Sequence, residues 1–147
     1  MTYCEAVIRL DQRPWREVRS AAERGAIAVL PVGSQEQHSE HLPMGTDTLL
    51  ADAVVDAAIE RLGGVDGAPE LVRLPALPYG HSPHHLFAAA VSLSATTLLA
   101  VLDDALDSLV RSGFRRVLLV NGHAGNDEVV RLAVKRCAER TDVALGA

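Results

Sequence analysis

The sequence predicts an α/β layered fold with a largely parallel sheet, on three observations. Short apolar runs of strand length alternate with longer amphipathic stretches of helix length. The two most polar turns begin where a strand-like run ends and lead into a helix, the arrangement of ligand sites in open α/β sheets. No repeat, low-complexity segment or Pro/Gly/Ser-rich linker interrupts the 147 residues, so a single domain, residues 1–147, carries the pattern.

Residues 14–24 suit a helix, with Pro14 favoured in its first turn and Gly25 able to stop it. Residues 26–32 (AIAVLPV) form an apolar run closed by Pro31 and Gly33 and read as a buried strand. After a polar, histidine-rich stretch, residues 48–62 predict an amphipathic helix with Leu50, Val54, Ala57 and Ala58 on its apolar face, ended by Gly63 and Gly64. Residues 71–74 predict a second strand before the turn-rich loop PALPYGHSPHH, and the alternation in 90–93 predicts a partly exposed one. Ser94 is placed to cap a helix whose face carries Leu98, Leu99, Leu102, Leu106, Leu109 and Val110 and which Gly113 ends. Residues 116–120 (RVLLV) are a third buried-strand pattern, followed by the turn NGHAGN. A helix over 127–140 comes next, with Val130, Val134 and Cys137 on one side and Asp127 and Glu128 in its positive first turn. The last residues, DVALGA, begin another strand.

Composition narrows the function classes. A hydrophobic share of 48% excludes disorder, and no apolar run approaches the ~18–20 residues of a membrane span. With 14 basic against 19 acidic residues, a nucleic-acid-binding face is not expected. Cys4 and Cys137 lie far apart without a CxxC pair, so neither a disulfide framework nor a thiolate zinc site is indicated. The N-terminus lacks the features of a secretory signal, and the expected location is cytoplasmic. With one Trp, two Tyr and two Phe, the core must be packed by Leu, Val, Ile and Ala.

Potential metal ligands gather around the two polar turns: Glu36, His38 and Asp47 after the first strand pattern, His123 after the third. Glu36 and His38 are two residues apart and share a side of an extended segment. Mixed imidazole and carboxylate donors suit Zn, Mn or Fe, and a carboxylate can bridge two ions. Each residue has a simpler explanation by itself: Asp47 as a helix N-cap, His123 as a hydrogen-bonded turn histidine, Glu36 as a solvated carboxylate. Competing motifs fail on spacing. His38-Ser39-Glu40 lacks the PCxxC partner of the zinc nucleobase deaminases, and His38-Ser39-Glu40-His41 is one residue short of HxxEH. Neither GxSxG nor a phosphate-cradling loop is present. His81, His84 and His85 form a second cluster, suited to a polar loop, a substrate contact or metal ligation.

The segment LPVGSQEQHSEHLPMGTDT (residues 30–48) closely resembles the first motif of the creatininase (creatinine amidohydrolase) family. YGHSPHH (79–85) is similar to the family's Gly-His-Ser loop, and VLLVNGHAGN (117–126) to its Asn-Gly-His turn, in the family's order. The resemblance implies a three-layer α/β/α fold and a dinuclear site of divalent Zn, Mn or Fe. Glu36 and His123 would hold one ion, His38 would help hold the other, and Asp47 would bridge. It implies a metal-activated hydroxide that attacks an amide carbonyl and so breaks the C–N bond of a cyclic amide, a formamide or a peptide. The family opens the creatinine ring, removes a formyl group from a riboflavin precursor and cleaves the mycofactocin precursor peptide. His41, His81, Ser82, His85, Asn121 and Asn126 fall at positions expected to contact substrate or hydrogen-bond the ligands. A homo-oligomer, commonly a hexamer in the family, is implied too.

The chain departs from the pattern in three places. Ser39-Glu40 replaces the usual Gly-Pro, and Gly125 stands where creatininase itself has a ligating Glu. The family's later segment, with a His-Ala-Gly-Glu-like motif and further catalytic groups, is not in these 147 residues, so the domain reads as lacking the family's C-terminal part. A general acid is therefore not assigned; His85 and Glu40 are the candidates within the sequence. The rival expectation is a non-catalytic metal- or ligand-binding subunit that has lost the C-terminal catalytic segment.

Overall fold

Five short strands, β1 (Val7–Arg9), β2 (Ile27–Val32), β3 (Leu71–Arg73), β4 (Arg116–Asn121) and β5 (Ala144–Gly146), lie side by side in the order β1-β3-β2-β4-β5. Every pairing is parallel, as strands joined by helical crossovers must be. This computed structural model describes residues 7–147; Cys4 lies outside the described residues. Helices α1 (Trp15–Glu23), α2 (Thr46–Leu62), α3 (Ala95–Arg111) and α4 (Asp127–Arg140) complete the three-layer α/β/α arrangement. Among the described residues, no helix is long and apolar enough to cross a membrane.

One face of the sheet is thickly covered. Ala28, Leu30 and Val32 of β2, Val72 of β3, and Val117 and Leu119 of β4 pack against Ala21 and Ala22 of α1, Leu98, Leu102 and Leu106 of α3, and Val130, Ala133 and Cys137 of α4. Phe114 is fully buried in this cluster of aliphatic side chains, and Cys137 acts there as a small apolar residue. Local signals end the helices as expected. Ser94 Oγ accepts a hydrogen bond from the Thr97 N–H at 3.1 Å, while Gly25 and Gly113 take positive φ just past α1 and α3.

Among the described residues, the opposite face carries α2 alone, over Val29 and Leu71, and here two expectations are corrected. The apolar stripe read from Leu50, Val54, Ala57 and Ala58 faces outward, with Leu50 56% and Val54 58% exposed. The buried positions are Thr46, Asp47, Ala51 and Val55. Arg73 decides the orientation: it is buried on β3 and pairs with Asp52 at 2.5 Å and Asp56 at 2.8 Å, so two acidic residues of α2 turn toward the sheet. Likewise β4 is not buried on both faces, since α2 packs mainly over β2 and leaves Leu118 40% exposed. Residues 90–93 do not form a strand. Ala89 takes a left-handed φ of 60°, and only Val91 pairs, through one antiparallel bridge to Gln35.

The register sets up the site. Pairing of β2 with β4 runs from Ile27↔Arg116 to Val32↔Asn121, so the two strands finish level and side by side. The polar turns that follow them therefore leave the same edge of the sheet at adjacent places.

Candidate metal centre

Beyond Val32 the chain leaves β2, makes a compact loop and returns into α2. The loop is closed by a hydrogen bond from the Glu36 N–H to the Met44 carbonyl at 2.9 Å and by a bridge between His38 and Leu42. This return brings Asp47, in the positive first turn of α2, back over Glu36. Asp47 does not cap the helix; Gly45 occupies that position. From the neighbouring strand end, Gly122 lies against the Asp47 carbonyl, where a Cβ would collide with the backbone. The close approach delivers His123 to the two carboxylates.

Glu36, Asp47 and His123 are all buried, with ligand-type atoms within 4.8 Å of one another. His123 Nδ1 stands 2.8 Å from Asp47 Oδ2 and 3.4 Å from Glu36 Oε1. His38 Nε2 contacts the other Asp47 oxygen, Oδ1, at 2.9 Å, so Asp47 lies between two imidazoles. Glu36 Oε2 and Asp47 Oδ2 are buried oxygens without a hydrogen-bond partner. Two buried carboxylates with orphaned oxygens carry a large desolvation cost unless a cation compensates them.

The other ring nitrogen of His123 sharpens the point. Nε2 lies 2.9 Å from Ser82 Oγ and 3.2 Å from the His81 carbonyl. A carbonyl only accepts, so its partner Nε2 carries a proton, and Nδ1 is the atom turned to Asp47 and Glu36. A lone pair 2.8 Å from a carboxylate is repulsive unless a cation, metal or proton, sits between them. The donor set and the orphaned oxygens fit a divalent ion.

The remaining expected residues divide. Ser82 is buried and relays from His123 to Ser34 Oγ at 2.7 Å. Asn121 brackets the backbone of His123, accepting from its N–H at 3.2 Å and donating to its carbonyl at 2.8 Å. Asn126 is fully buried, donating to Gly33 O at 3.0 Å and accepting from the His81 N–H at 2.8 Å, which pins the His81 loop to the end of β2. The His81 ring points elsewhere, to the Leu93 carbonyl at 3.0 Å; its backbone carbonyl serves the site. His85 approaches Glu36 Oε2 at 3.8 Å. Glu40 and His41 are exposed, outside both groups of metal-type donors. His84 completes a second group with Glu36 and His85, a proximity the loop composition suggested but no spacing could establish. At Gly125 a Cβ would collide with His123 Nε2 and the His81 carbonyl, so no side chain, carboxylate or otherwise, fits there.

Comparison with known proteins gives the following. The creatininase family model (creatinine amidohydrolase) matches residues 11–146. The chain is 34% identical over 119 residues to creatinine amidohydrolase of Pseudomonas putida, covering 76% of this chain and 43% of that protein. It is 38% identical over 111 residues to mycofactocin precursor peptide peptidase of Mycobacterium ulcerans, covering 74% and 44%. A solved structure described as "Creatininase Mn" superposes with a TM-score of 0.83 at 26% identity, over 97% of this chain and 57% of that one. The chain thus spans about half the length of the curated relatives it matches.

Proposed function

The chain belongs to the creatininase family, and from that premise we propose that it is a metal-dependent amidohydrolase cleaving a C–N amide bond of a small amide or peptide. The observation that carries this reading is His123 Nδ1 set between two buried carboxylates, each with an oxygen that has no hydrogen-bond partner. Glu36, His123 and one oxygen of Asp47 would hold one divalent ion, and His38 with the other oxygen of Asp47 would contribute to a second. Zn, Mn and Fe suit these donors. When bound, such ions polarise a carbonyl and lower the pKa of water.

The chain's own residues supply the setting. Ser82 and the His81 carbonyl hold His123 in the ligating tautomer. Asn126 and Asn121 fix the turn that carries it. His85 lies across Glu36 as the group placed to give a proton to the departing nitrogen, a contribution of ~10²–10⁴-fold in general acid catalysis. Phe87, 82% exposed, lies 6.2 Å from the His85 ring centre to centre.

The test is metal analysis of the purified and of the reconstituted protein, followed by assays of the loaded protein on creatinine, small formamides and short peptides. One or two ions per chain with turnover of any of these amides supports the reading. If neither preparation retains metal, it fails. The proposal includes self-association into a homo-oligomer, supported by the outward Leu49, Leu50 and Val54 of α2, an apolar stripe that a second copy would cover.

A further inference from the structure

Gln37 lies between the two candidate ligands Glu36 and His38 but belongs to neither group of metal-type donors. Its amide is oriented without ambiguity. The Ser39 N–H lies 2.9 Å from Gln37 Oε1, and because a backbone N–H only donates, the atom it faces is the amide oxygen. Ser39 reaches this geometry with a left-handed φ of 61°. The amide NH2 therefore faces His85 and donates to its Nδ1 at 3.0 Å. An Nδ1 that accepts carries no proton, so the proton of the neutral imidazole is on Nε2, 3.8 Å from the unpartnered, buried Glu36 Oε2.

We infer that Gln37 is a positioning residue that holds His85 in the Nε2–H tautomer, a proton donor directed at the Glu36 side of the site. The inference rests on the amidohydrolase reading for its purpose, since a fixed donor is useful there only if a departing group needs a proton.

The same cluster offers a competing use. Glu36, His84 and His85 bring ligand-type atoms within 4.8 Å of one another and by donor type would take a metal. The Gln37 contact opposes it. A metal on His85 Nε2 needs a lone pair there, which requires the other tautomer with the proton on Nδ1, where it would meet the Gln37 NH2, donor against donor. With its oxygen held by Ser39, the amide cannot turn over to relieve the clash without losing that bond.

The experiment is two-bond proton–nitrogen NMR on the 147-residue chain with 15N-labelled histidine, stripped of metal, with the tautomer read at the pH where the nitrogen shifts themselves show neutral rings. His85→Gln identifies the His85 signals. Wild type should show the Nε2–H pattern. Gln37→Glu is close in shape, presents a carboxylate oxygen to Nδ1, and should invert the pattern, changing the tautomer ratio by about fivefold or more, the weight of one hydrogen bond. Gln37→Leu should lose the bias with the remaining histidine signals in place. An Nδ1–H pattern in wild type overturns the inference, and so does a folded Gln37→Glu variant with an unchanged pattern. Should Gln37→Glu not fold, wild type and Gln37→Leu still decide. Zinc is then added to wild type: its His85 nitrogens should stay put, and zinc-type shifts at His85 Nε2 overturn the inference in favour of ligation. Absence of any zinc binding would sink the metal reading while leaving the tautomer result standing, so the two failures are distinguishable.

Discussion

Asp47 and His123 meet at 2.8 Å although one opens a helix and the other follows a strand that lies far along the chain. Three separate devices produce that meeting. The β2–β4 register levels the two strand ends, Gly122 lets the first turn of α2 rest on the following turn, and Ser82 with the His81 carbonyl rotates the ring. None of these devices would be needed to bury a histidine in isolation, and the third spends polar groups in a low-dielectric place.

The first prediction is that Asp47→Ala and His123→Ala lose metal. Asp47 contacts both imidazoles, so its removal should abolish retention, whereas His38→Ala should leave one ion of a pair. Elemental analysis after gel filtration reads the stoichiometry. A ligand held at hundredfold its dissociation constant stabilises the folded state by about 2.7 kcal/mol. Chelation should therefore lower the melting temperature of wild type and leave that of Asp47→Ala unmoved.

Ser82→Ala probes the hydrogen bond behind the ligand. It removes the Oγ that lies 2.9 Å from His123 Nε2, and leaves the His81 carbonyl as a weaker partner at 3.2 Å. Loss of such a supporting contact typically costs about 10–100-fold in metal affinity. Zinc competition titrations against a chromogenic chelator should show that weakening with stoichiometry unchanged. Affinity equal to wild type would mean that the carbonyl alone holds the ring.

The strands and helices that build this site were legible in the sequence because their signals are local: Ser94 as a cap, Gly25 and Gly113 as stops, and the RVLLV run as a strand, though not its exposed face. The direction of α2 was not. Its apolar residues occur on several sides, and Asp52 and Asp56 point inward only because Arg73 waits on β3, a partner no periodicity reveals. Strand β1 escaped for a related reason: three residues, half-buried at the sheet edge, carry little pattern. The candidate donor types were readable from the turns, but the place of Ser82 behind His123 depends on how the loop folds over the strand ends.

Gly125→Ala tests how tightly the turn is fitted. A Cβ there would collide with His123 Nε2 and the His81 carbonyl, both fixed by their own hydrogen bonds. Relief requires moving the ring or the loop, a cost of about 1–3 kcal/mol for overpacking a close-packed place. Denaturant unfolding should show that loss. The same variant should bind metal less well, because the displaced ring no longer aims Nδ1 at Asp47 and Glu36.

The last prediction, self-association, is drawn from the thin side of the sheet. Leu49, Leu50 and Val54 stand out from α2 while Leu118 remains 40% exposed on β4. Covering it with a second copy removes that surface from water at roughly 25 cal/mol per Å² before the cost of association. Light scattering at micromolar concentration should therefore report an oligomer. The double variant Leu50→Ser and Val54→Ser should shift it toward monomer with the fold intact, because both side chains point away from the core and their replacement leaves Ala51, Val55 and the Arg73 pairs untouched. A wild-type monomer would remove oligomerisation from the reading. An oligomer indifferent to the double variant would place the contact elsewhere on the molecule, and the exposed stripe of α2 would then need a different explanation.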